Sequence, residues 1–268
     1  MKVLVTGASG NTGRPLVQLL TEAGATVRAA SRRTGFDWSD PATHDAVLDG
    51  VERMYLVAPV GVAEPEPLVR PFLERAREAG VRRVVLLSSS AVATGDPGLG
   101  RVDSAVREIM PELAVLKPSW FMQNFTGDHP VAEGIRSRGE IVTATGEGRV
   151  AFIDAADIAA SAAALLLADE CGRDEHVITG PEAISYAEAA AIYSEVTGAE
   201  VRHTSVGTAE LADRFVAAGY PADFAAALAA LDEGIRHGSE DRVTGTVHRL
   251  TGRPPKPLRR FLAEQLRS

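Results

Sequence analysis

A glycine-spaced turn between a short apolar strand and an amphipathic helix constrains this chain more than any other feature. The chain opens Met1-Lys2-Val3-Leu4-Val5-Thr6-Gly7-Ala8-Ser9-Gly10-Asn11-Thr12-Gly13. Residues 2–6 are a largely apolar, β-branched run that predicts a strand, and residues 15–23 place Leu16, Leu19 and Leu20 on one helical face. Each glycine has its own task in such a turn. Gly7 lets the chain leave the strand sharply, Gly10 lets backbone approach a diphosphate, and Gly13 lets the helix pack closely on the strand. The amides of Asn11, Thr12 and Gly13, with Ser9 beside them, then face an anion at the positive end of the helix dipole. The spacing is GxxGxxG rather than GxGxxG, and its place at the head of a strand–turn–helix unit gives it weight.

The alternation continues. Strands are expected at 26–30, 53–57, 83–87 and 113–116, separated by helices near 40–48, 68–79 and 102–110, with Gly24 and Gly80 at helix ends. Such alternation predicts a parallel sheet covered on both faces. Beyond it lie expected strands at 150–153, 176–179 and 200–205, and helices at 155–167, 186–197, 209–218, 222–235 and 258–266. The expected fold class is α/β: a Rossmann-type doubly wound parallel sheet with a smaller C-terminal α+β substrate lobe. The dinucleotide-binding domain is expected at 1–125 plus 150–168, and the substrate-binding lobe at 126–149 plus 169–268.

The dinucleotide follows from the end of the second strand. NAD enzymes of this architecture commonly place an acid there to accept hydrogen bonds from the ribose hydroxyls. Here the residues are Ser31-Arg32-Arg33. A guanidinium pairs with a 2′-phosphate and offers no acceptor to a free hydroxyl, so NADP(H) is the expected cofactor. Asp37 and Trp38 either reach the adenine or, for Asp37, cap the next segment.

Charge excludes one large class of partner. With 28 basic and 36 acidic residues the net charge is −8, which repels a phosphate backbone over most of the surface, so no nucleic-acid partner is expected. The most apolar stretch, 155–168, is too short to span a bilayer and contains Asp157; no targeting segment is evident near Lys2. The single cysteine, Cys171, reads as a small residue at a helix end. The expectation is a cytoplasmic protein, monomer or homodimer, that acts on a small molecule without a metal.

An ordinary short-chain reductase supplies a proton from a tyrosine whose pKa is lowered by a lysine four residues later. The positions four after Tyr55, Tyr186, Tyr193 and Tyr220 are Pro59, Ala190, Thr197 and Phe224, so no such pair exists. Ser88-Ser89-Ser90 matches the place where such enzymes keep a serine, leaving Ser88 and Ser89 as candidates for catalysis. Hydride addition to an iminium carbon needs no proton from the enzyme, and addition to a quinone or activated enone gives a stabilised anion that water can protonate. A site that only senses the dinucleotide, without turnover, is the alternative; a nucleotide-sugar epimerase is disfavoured by the missing pair.

The loop from Gly7 to Gly13, Ser31-Arg32, Tyr55-Leu56-Val57-Ala58-Pro59 and Lys117-Pro118-Ser119-Trp120-Phe121-Met122-Gln123-Asn124-Phe125 together resemble the NmrA-like atypical short-chain dehydrogenases. Phe152-Ile153-Asp154-Ala155-Ala156-Asp157-Ile158-Ala159 and Thr179-Gly180-Pro181-Glu182 extend the resemblance over nearly the whole chain. Within that group the chain is most similar to bacterial relatives of the agroclavine dehydrogenase and festuclavine synthase branch. The resemblance implies a Rossmann domain, a small C-terminal substrate lobe and NADP(H) at the glycine loop and Arg32. It also implies that a missing Tyr-x-x-x-Lys is usual and that iminium reduction belongs to the ergot-alkaloid members. Lys117-Pro118 departs from the arginine-proline of many relatives.

Open parallel sheets bind ligands beyond the C-terminal ends of their strands. That rule nominates Ala58, Pro59 and Ser88 beside the nicotinamide. It also nominates Trp120, Phe121 and Phe125 as an apolar wall, with Asn124 as a polar anchor. The same aromatics also suit plain core packing. His129 is either a proton donor or a structural loop histidine. Asp154 reads as a turn cap and Asp157 as a first-turn helix charge, and Asp103 with Arg107 as a solvated ion pair.

Overall fold

The computed structural model describes residues 1–266. Contacts divide the chain into two compact units, one of residues 1–118, 156–177 and 249–252, the other of 119–155, 178–248 and 253 onward. The expected boundary at 125 thus meets a division at Pro118, and β-sheet residues 173–177 group with the first unit.

The first unit begins with β1 (Lys2–Thr6), α1 (Gly13–Glu22), β2 (Thr26–Ala30), α2 (His44–Leu48), β3 (Arg53–Leu56) and α3 (Glu66–Glu78). It continues with β4 (Arg83–Leu87), α4 (Leu99–Ile109) and β5 (Glu112–Pro118). These strands stand in the order β2-β1-β3-β4-β5, each neighbouring pair parallel, for example Thr6 opposite Ala30 and Val5 opposite Tyr55. The chain winds outward to β2 and then returns past β1 to β3, so the order reverses at β1/β3. Reversal opens a crevice beyond the carboxyl ends of these two strands. β4 and β5 are buried along nearly their whole length, which is why they read as continuous apolar runs. One face of the sheet packs on Val69, Phe72, Leu73, Val102 and Val106 of α3 and α4.

The second unit carries α5 (Pro130–Arg138), β6 (Glu140–Thr143) and β7 (Arg149–Val150). α6 (Ala155–Leu167) and β8 (Arg173–Ile178) follow in the chain, β8 lying beside β5 at the edge of the large sheet. Then come β9 (Ile184–Ser185), α7 (Tyr186–Thr197), β10 (Arg202–Ser205), α8 (Thr208–Ala217), α9 (Ala222–Arg236), α10 (Thr246–Thr251) and α11 (Leu258–Leu266). β10 pairs parallel with β6, and β7 antiparallel with β9. Phe125, Phe152, Tyr186, Ile235 and Phe261 build the core of this unit.

Several elements depart from the sequence expectation. α5 and β6 were not expected: nine residues containing two arginines, a glutamate and an internal glycine give a weak helical signal, and capping decides them. His129 accepts the Val131 amide at 3.2 Å, Pro130 occupies the first turn, and Gly139 ends the helix at φ 62°. The strand expected at 150–153 shrinks to two residues, with Ile153 making one bridge to Phe121. Residues 40–43, expected to be helical, form a tighter 3-10 turn over Pro41–Thr43, capped by Asp40, before α2 starts at His44.

Candidate functional site

The glycine loop leaves β1 at Gly7, which adopts φ +63° and would carry a Cβ 3.3 Å from that of Val57. A side chain there would be strained by conformation and tight against Val57. Gly10 donates to the Gly7 carbonyl at 2.9 Å, closing the turn, and a Cβ on it would meet only that oxygen within 4 Å. At Gly13 the approach is closer still: a Cβ would lie 2.2 Å from the Gly7 oxygen and 2.8 Å from Ala8 Cα. The amides of Asn11, Thr12 and Gly13 donate to no backbone carbonyl among the described residues, as expected at a helix start. Ser9 and Asn11 are exposed and Thr12 is buried. Ala8 donates to the Ala30 carbonyl at 3.3 Å, fixing the loop against the end of β2.

Immediately past that end, Ser31 is buried and opens a 3-10 turn, with its amide donating to the Thr34 hydroxyl at 2.9 Å. Arg32 and Arg33 are exposed, and neither guanidinium makes an ion pair or hydrogen bond among the described residues. Asp37 accepts the Ser39 amide at 2.8 Å, so its carboxylate caps its own turn. Trp38 is half-buried edge-on against Phe36 and Phe72, at 5.0 and 5.1 Å between ring centres.

At the other strand ends, Thr6 stitches β1 to β3: its hydroxyl accepts the Val57 amide at 2.7 Å and lies 3.2 Å from the Tyr55 and Val57 carbonyls. Ala58 is buried and Pro59 half-buried. Ser88 extends the β4–β5 ladder by donating to Leu116 O at 2.8 Å, and its hydroxyl is buried without a partner. The Ser89 hydroxyl is used locally, accepting the Ala91 amide at 3.3 Å.

The second unit contains a cleft of about 640 Å³. Among the nominated residues, Trp120, Asn124 and His129 line it. Phe125 does not, being buried edge-on against Phe152 at 5.0 Å, and Phe121 is half-buried where it bridges to Ile153. Burial lowers the His129 pKa to about 4, so the ring is neutral at neutral pH; with Nδ1 accepting the Val131 amide, its proton is on Nε2. The remaining walls come from residues that sequence reading missed: Tyr186 of α7, Phe215 of α8, Tyr220, and Leu228, Leu231 and Asp232 of α9. Asp232 accepts the Ala144 amide at 2.8 Å, and burial pushes its carboxyl up to about 6. A signal for it existed. Leu228 and Asp232 are one helical turn apart in an alanine-rich helix, so an acid stands on the apolar face.

No family model matches the chain. Curated proteins do. It is 44% identical to the uncharacterized oxidoreductase YesF of Bacillus subtilis, over 97% of this chain and 94% of that one. It is 35% identical to the agroclavine dehydrogenase of Claviceps fusiformis, over 98% and 97%. The chain belongs to the agroclavine dehydrogenase and festuclavine synthase family of oxidoreductases. The fold agrees: an NADPH-dependent quinone oxidoreductase of Escherichia coli, solved with NADPH, superposes with a TM-score of 0.83 at 21% identity, covering 98% of this chain and 99% of that one.

In the first unit of this oxidoreductase, Tyr55 and Lys117 are each engaged with other partners. Tyr55 is buried and donates to Thr12 at 3.1 Å, inside the core. Lys117 is buried at the end of β5 and held 2.9 Å from Glu175 and 3.9 Å from Asp103. Asp103, expected to be solvated, is instead 1% exposed: it pairs with Arg107 at 2.7 Å, and the Thr94 hydroxyl lies 2.7 Å away. Arg107 also reaches Glu175 at 2.7 Å, closing a network of two acids and two bases. Asp154, expected as a simple turn cap, is likewise buried between Gln123 and Lys256, each at 2.8 Å. Cys171 is half-buried, and burial raises its thiol pKa, disfavouring the thiolate. Among the described residues there is no cluster of three potential metal ligands and no helix long and apolar enough to cross a membrane.

Proposed function

We propose that the chain is an NADPH-dependent reductase that delivers hydride to a small electrophilic organic molecule, an iminium, quinone or conjugated carbonyl, without a Tyr-x-x-x-Lys proton donor. One observation carries the cofactor reading: Arg32 and Arg33, exposed and without an acidic partner, follow directly on the strand end to which the glycine loop is bonded. The residues present fit the group. Open amides at Asn11, Thr12 and Gly13 suit a diphosphate, the Arg32 guanidinium suits a 2′-phosphate, and the unpartnered Ser88 hydroxyl suits a polar edge of the nicotinamide.

When bound, the nicotinamide supplies the hydride. The chain's own residues supply little acid–base chemistry in the first unit. Tyr55 and Lys117 are committed to Thr12 and to Glu175, and the Ser88 hydroxyl, with no base bonded to it, is a hydrogen-bond donor rather than a general acid. Such a site suits electrophiles whose reduction product needs no enzyme proton. A quinone, the acceptor named for the E. coli protein, is of that kind. Ala58, Pro59 and Ser88 are assigned to the nicotinamide, and Trp120, Asn124 and His129 to the organic substrate; Asp37 and Trp38 remain candidates for the adenine end.

The test is a titration of the purified protein with NADPH and NADH, comparing wild type with Arg32→Ala. A strong preference for NADPH that Arg32→Ala removes supports the reading, and NADPH oxidation by one member of a panel of iminium, quinone and enone compounds completes it. Absence of dinucleotide binding overturns it. Tight binding of NADPH and NADP⁺ alike, with no turnover across the panel, replaces it with a dinucleotide sensor.

A further inference from the structure

The turn at residues 122–131, on one side of the cleft in the second unit, is held by its own hydrogen bonds. Gln123 is bonded through both ends of its carboxamide: Nε2 donates to Asp154 at 2.8 Å and Oε1 accepts the Ala155 amide at 3.0 Å. The Gln123 carbonyl accepts the Thr126 and Gly127 amides at 3.2 and 2.7 Å, and Arg136 donates to the Gly127 carbonyl at 3.1 Å. A Cβ on Gly127 would lie 2.9 Å from the Gln123 oxygen, so the turn is packed against itself. Asn124 and His129 stand on this turn, and both line the cleft.

Each offers a polar group that the fold does not use. The Asn124 backbone amide donates to the Phe121 carbonyl at 3.1 Å, while its carboxamide has no partner among the described residues. His129 commits Nδ1 to the Val131 amide, which leaves the hydrogen on Nε2, and Nε2 likewise has no partner among the described residues. Burial lowers the His129 pKa to about 4 against the opposing pull of exposed Asp128. The positive end of α5, which His129 caps, also disfavours a second proton on the ring. The other charged groups of the cleft are engaged. Glu133 pairs with Arg136 at 3.2 Å, Arg138 with Glu140 at 3.7 Å and Arg214 with Glu210 at 2.8 Å. Asp232 accepts the Ala144 amide and has Arg236 as a nearby counter-charge, and burial keeps the Tyr186 phenol protonated.

We infer that His129 and Asn124 form a neutral two-donor grip on one acceptor oxygen of the cleft ligand, through the His129 Nε2–H and the Asn124 carboxamide N–H. Trp120, Tyr186 and Phe215 line the same cleft, and beside such rings a hydrogen bond is stronger than in water. Reduction of a carbonyl at its carbon moves electron density onto the oxygen, and donors already held in place meet that charge without reorganising. A neutral imidazole suits this task because it polarises the oxygen and keeps its own hydrogen; the proton that completes the product comes from water. His129 thus has two roles at once, a structural one through Nδ1 and a polarising one through Nε2. The inference rests on the reductase reading only in calling the ligand a substrate. It favours oxygen-bearing acceptors over iminium ions, which offer nothing to an N–H donor.

Binding of two probes of one shape to the full-length protein, measured by calorimetry at pH 8, tests it without turnover. Acetophenone carries a carbonyl oxygen, and α-methylstyrene carries a CH₂ in its place. The variant is His129→Asn, because asparagine keeps an acceptor for the Val131 amide and so preserves the cap while withdrawing the cleft donor. It is expected to weaken acetophenone at least threefold and to leave α-methylstyrene unchanged; Asn124→Leu is expected to do the same. The infrared carbonyl stretch of bound acetophenone is expected to move to higher frequency in His129→Asn, as it does when a donor is lost. Nitrogen-15 spectra of wild type are expected to show His129 neutral and protonated on Nε2 at both pH 8 and pH 5.5. Equal weakening of the two probes reduces His129 to packing and overturns the inference. So does an unmoved carbonyl stretch, an imidazolium at pH 5.5, or no binding of acetophenone at millimolar concentration in wild type. Titrating NADPH into the same samples separates the two readings. Discrimination between the probes with no NADPH binding sinks the reductase and leaves the donor pair, whereas NADPH binding with no discrimination does the reverse.

Discussion

Tyr55, in the middle of the large sheet, donates its phenolic hydrogen to the Thr12 hydroxyl 3.1 Å away, tying β3 to the turn that enters α1. Both groups are buried, and burial keeps the phenol protonated well above the ordinary tyrosine range. Tyr55→Phe keeps the ring and deletes only this bond, leaving the Thr12 hydroxyl without its donor. A loss of about 1 kcal/mol is expected, the usual net worth of one such bond. Urea denaturation reads it. An unchanged midpoint shows that the tie contributes nothing.

Gly13 sits under the Gly7 carbonyl, where a Cβ would come within 2.2 Å of the oxygen. Because the obstacle is backbone, Gly13→Ala must push α1 away from the loop. A cost at the upper end of the 1–3 kcal/mol range for overpacking, about 3 kcal/mol, is expected, with weaker NADPH binding. Gly245→Ala is the control, since a Cβ at Gly245 meets nothing within 4 Å. Equal melting temperatures for the two variants contradict the packing role.

Asp103 is buried against Arg107 and Lys117, itself 6% exposed along the side chain. Asp103→Asn leaves the shape and removes the charge, stranding Lys117 with Glu175 alone. Breaking one partner of a buried pair costs roughly 3–5 kcal/mol. A cost near 3 kcal/mol is expected here, because Glu175 is 40% exposed along its side chain and remains paired. Adding Lys117→Met is expected to restore part of the loss. Strict additivity in that double-mutant cycle denies the coupling.

Glu175 and Asp232 respond to pH in opposite senses. Hydrogen bonding to Lys117 is the largest influence lowering the Glu175 pKa from 4.5, so its contribution is complete above the unfolded value and is lost as pH falls below it. Asp232 is raised from 3.8 to about 6, so its neutral form favours the fold below 3.8 and that advantage disappears as pH rises through 6. Asp232→Asn is therefore expected to raise the melting temperature at pH 8 and leave it nearly unchanged at pH 4. Glu175→Gln is expected to flatten the acid limb of the stability curve. Thermal melts from pH 3 to 8 check both, and parallel curves for wild type and Asp232→Asn contradict the burial of that carboxyl.

The parts of this protein written in its sequence are those decided by neighbours within one turn or one strand. β1, β2 and β4 are found at the expected residues, α6 and α7 likewise, because apolar spacing and glycine placement are local. The tight turn at Gly7–Gly13 was legible for the same reason. What a distant partner decides was not. Nothing near Asp103 or Asp154 announces that each will be buried against a lysine, Lys117 in one case and Lys256 in the other. α5, weak as a helix by composition, exists because capping residues hold its ends and β6 follows directly. The cleft joins Trp120 and Asn124 to Asp232, more than 100 positions away in the chain, and sends Phe125 into the core instead. Spacing reports which face of an element is apolar. Only packing, which sets local dielectric and brings remote side chains together, decides whether an acid on that face becomes a solvated charge, a buried ion pair or a carboxylate at the wall of a cleft.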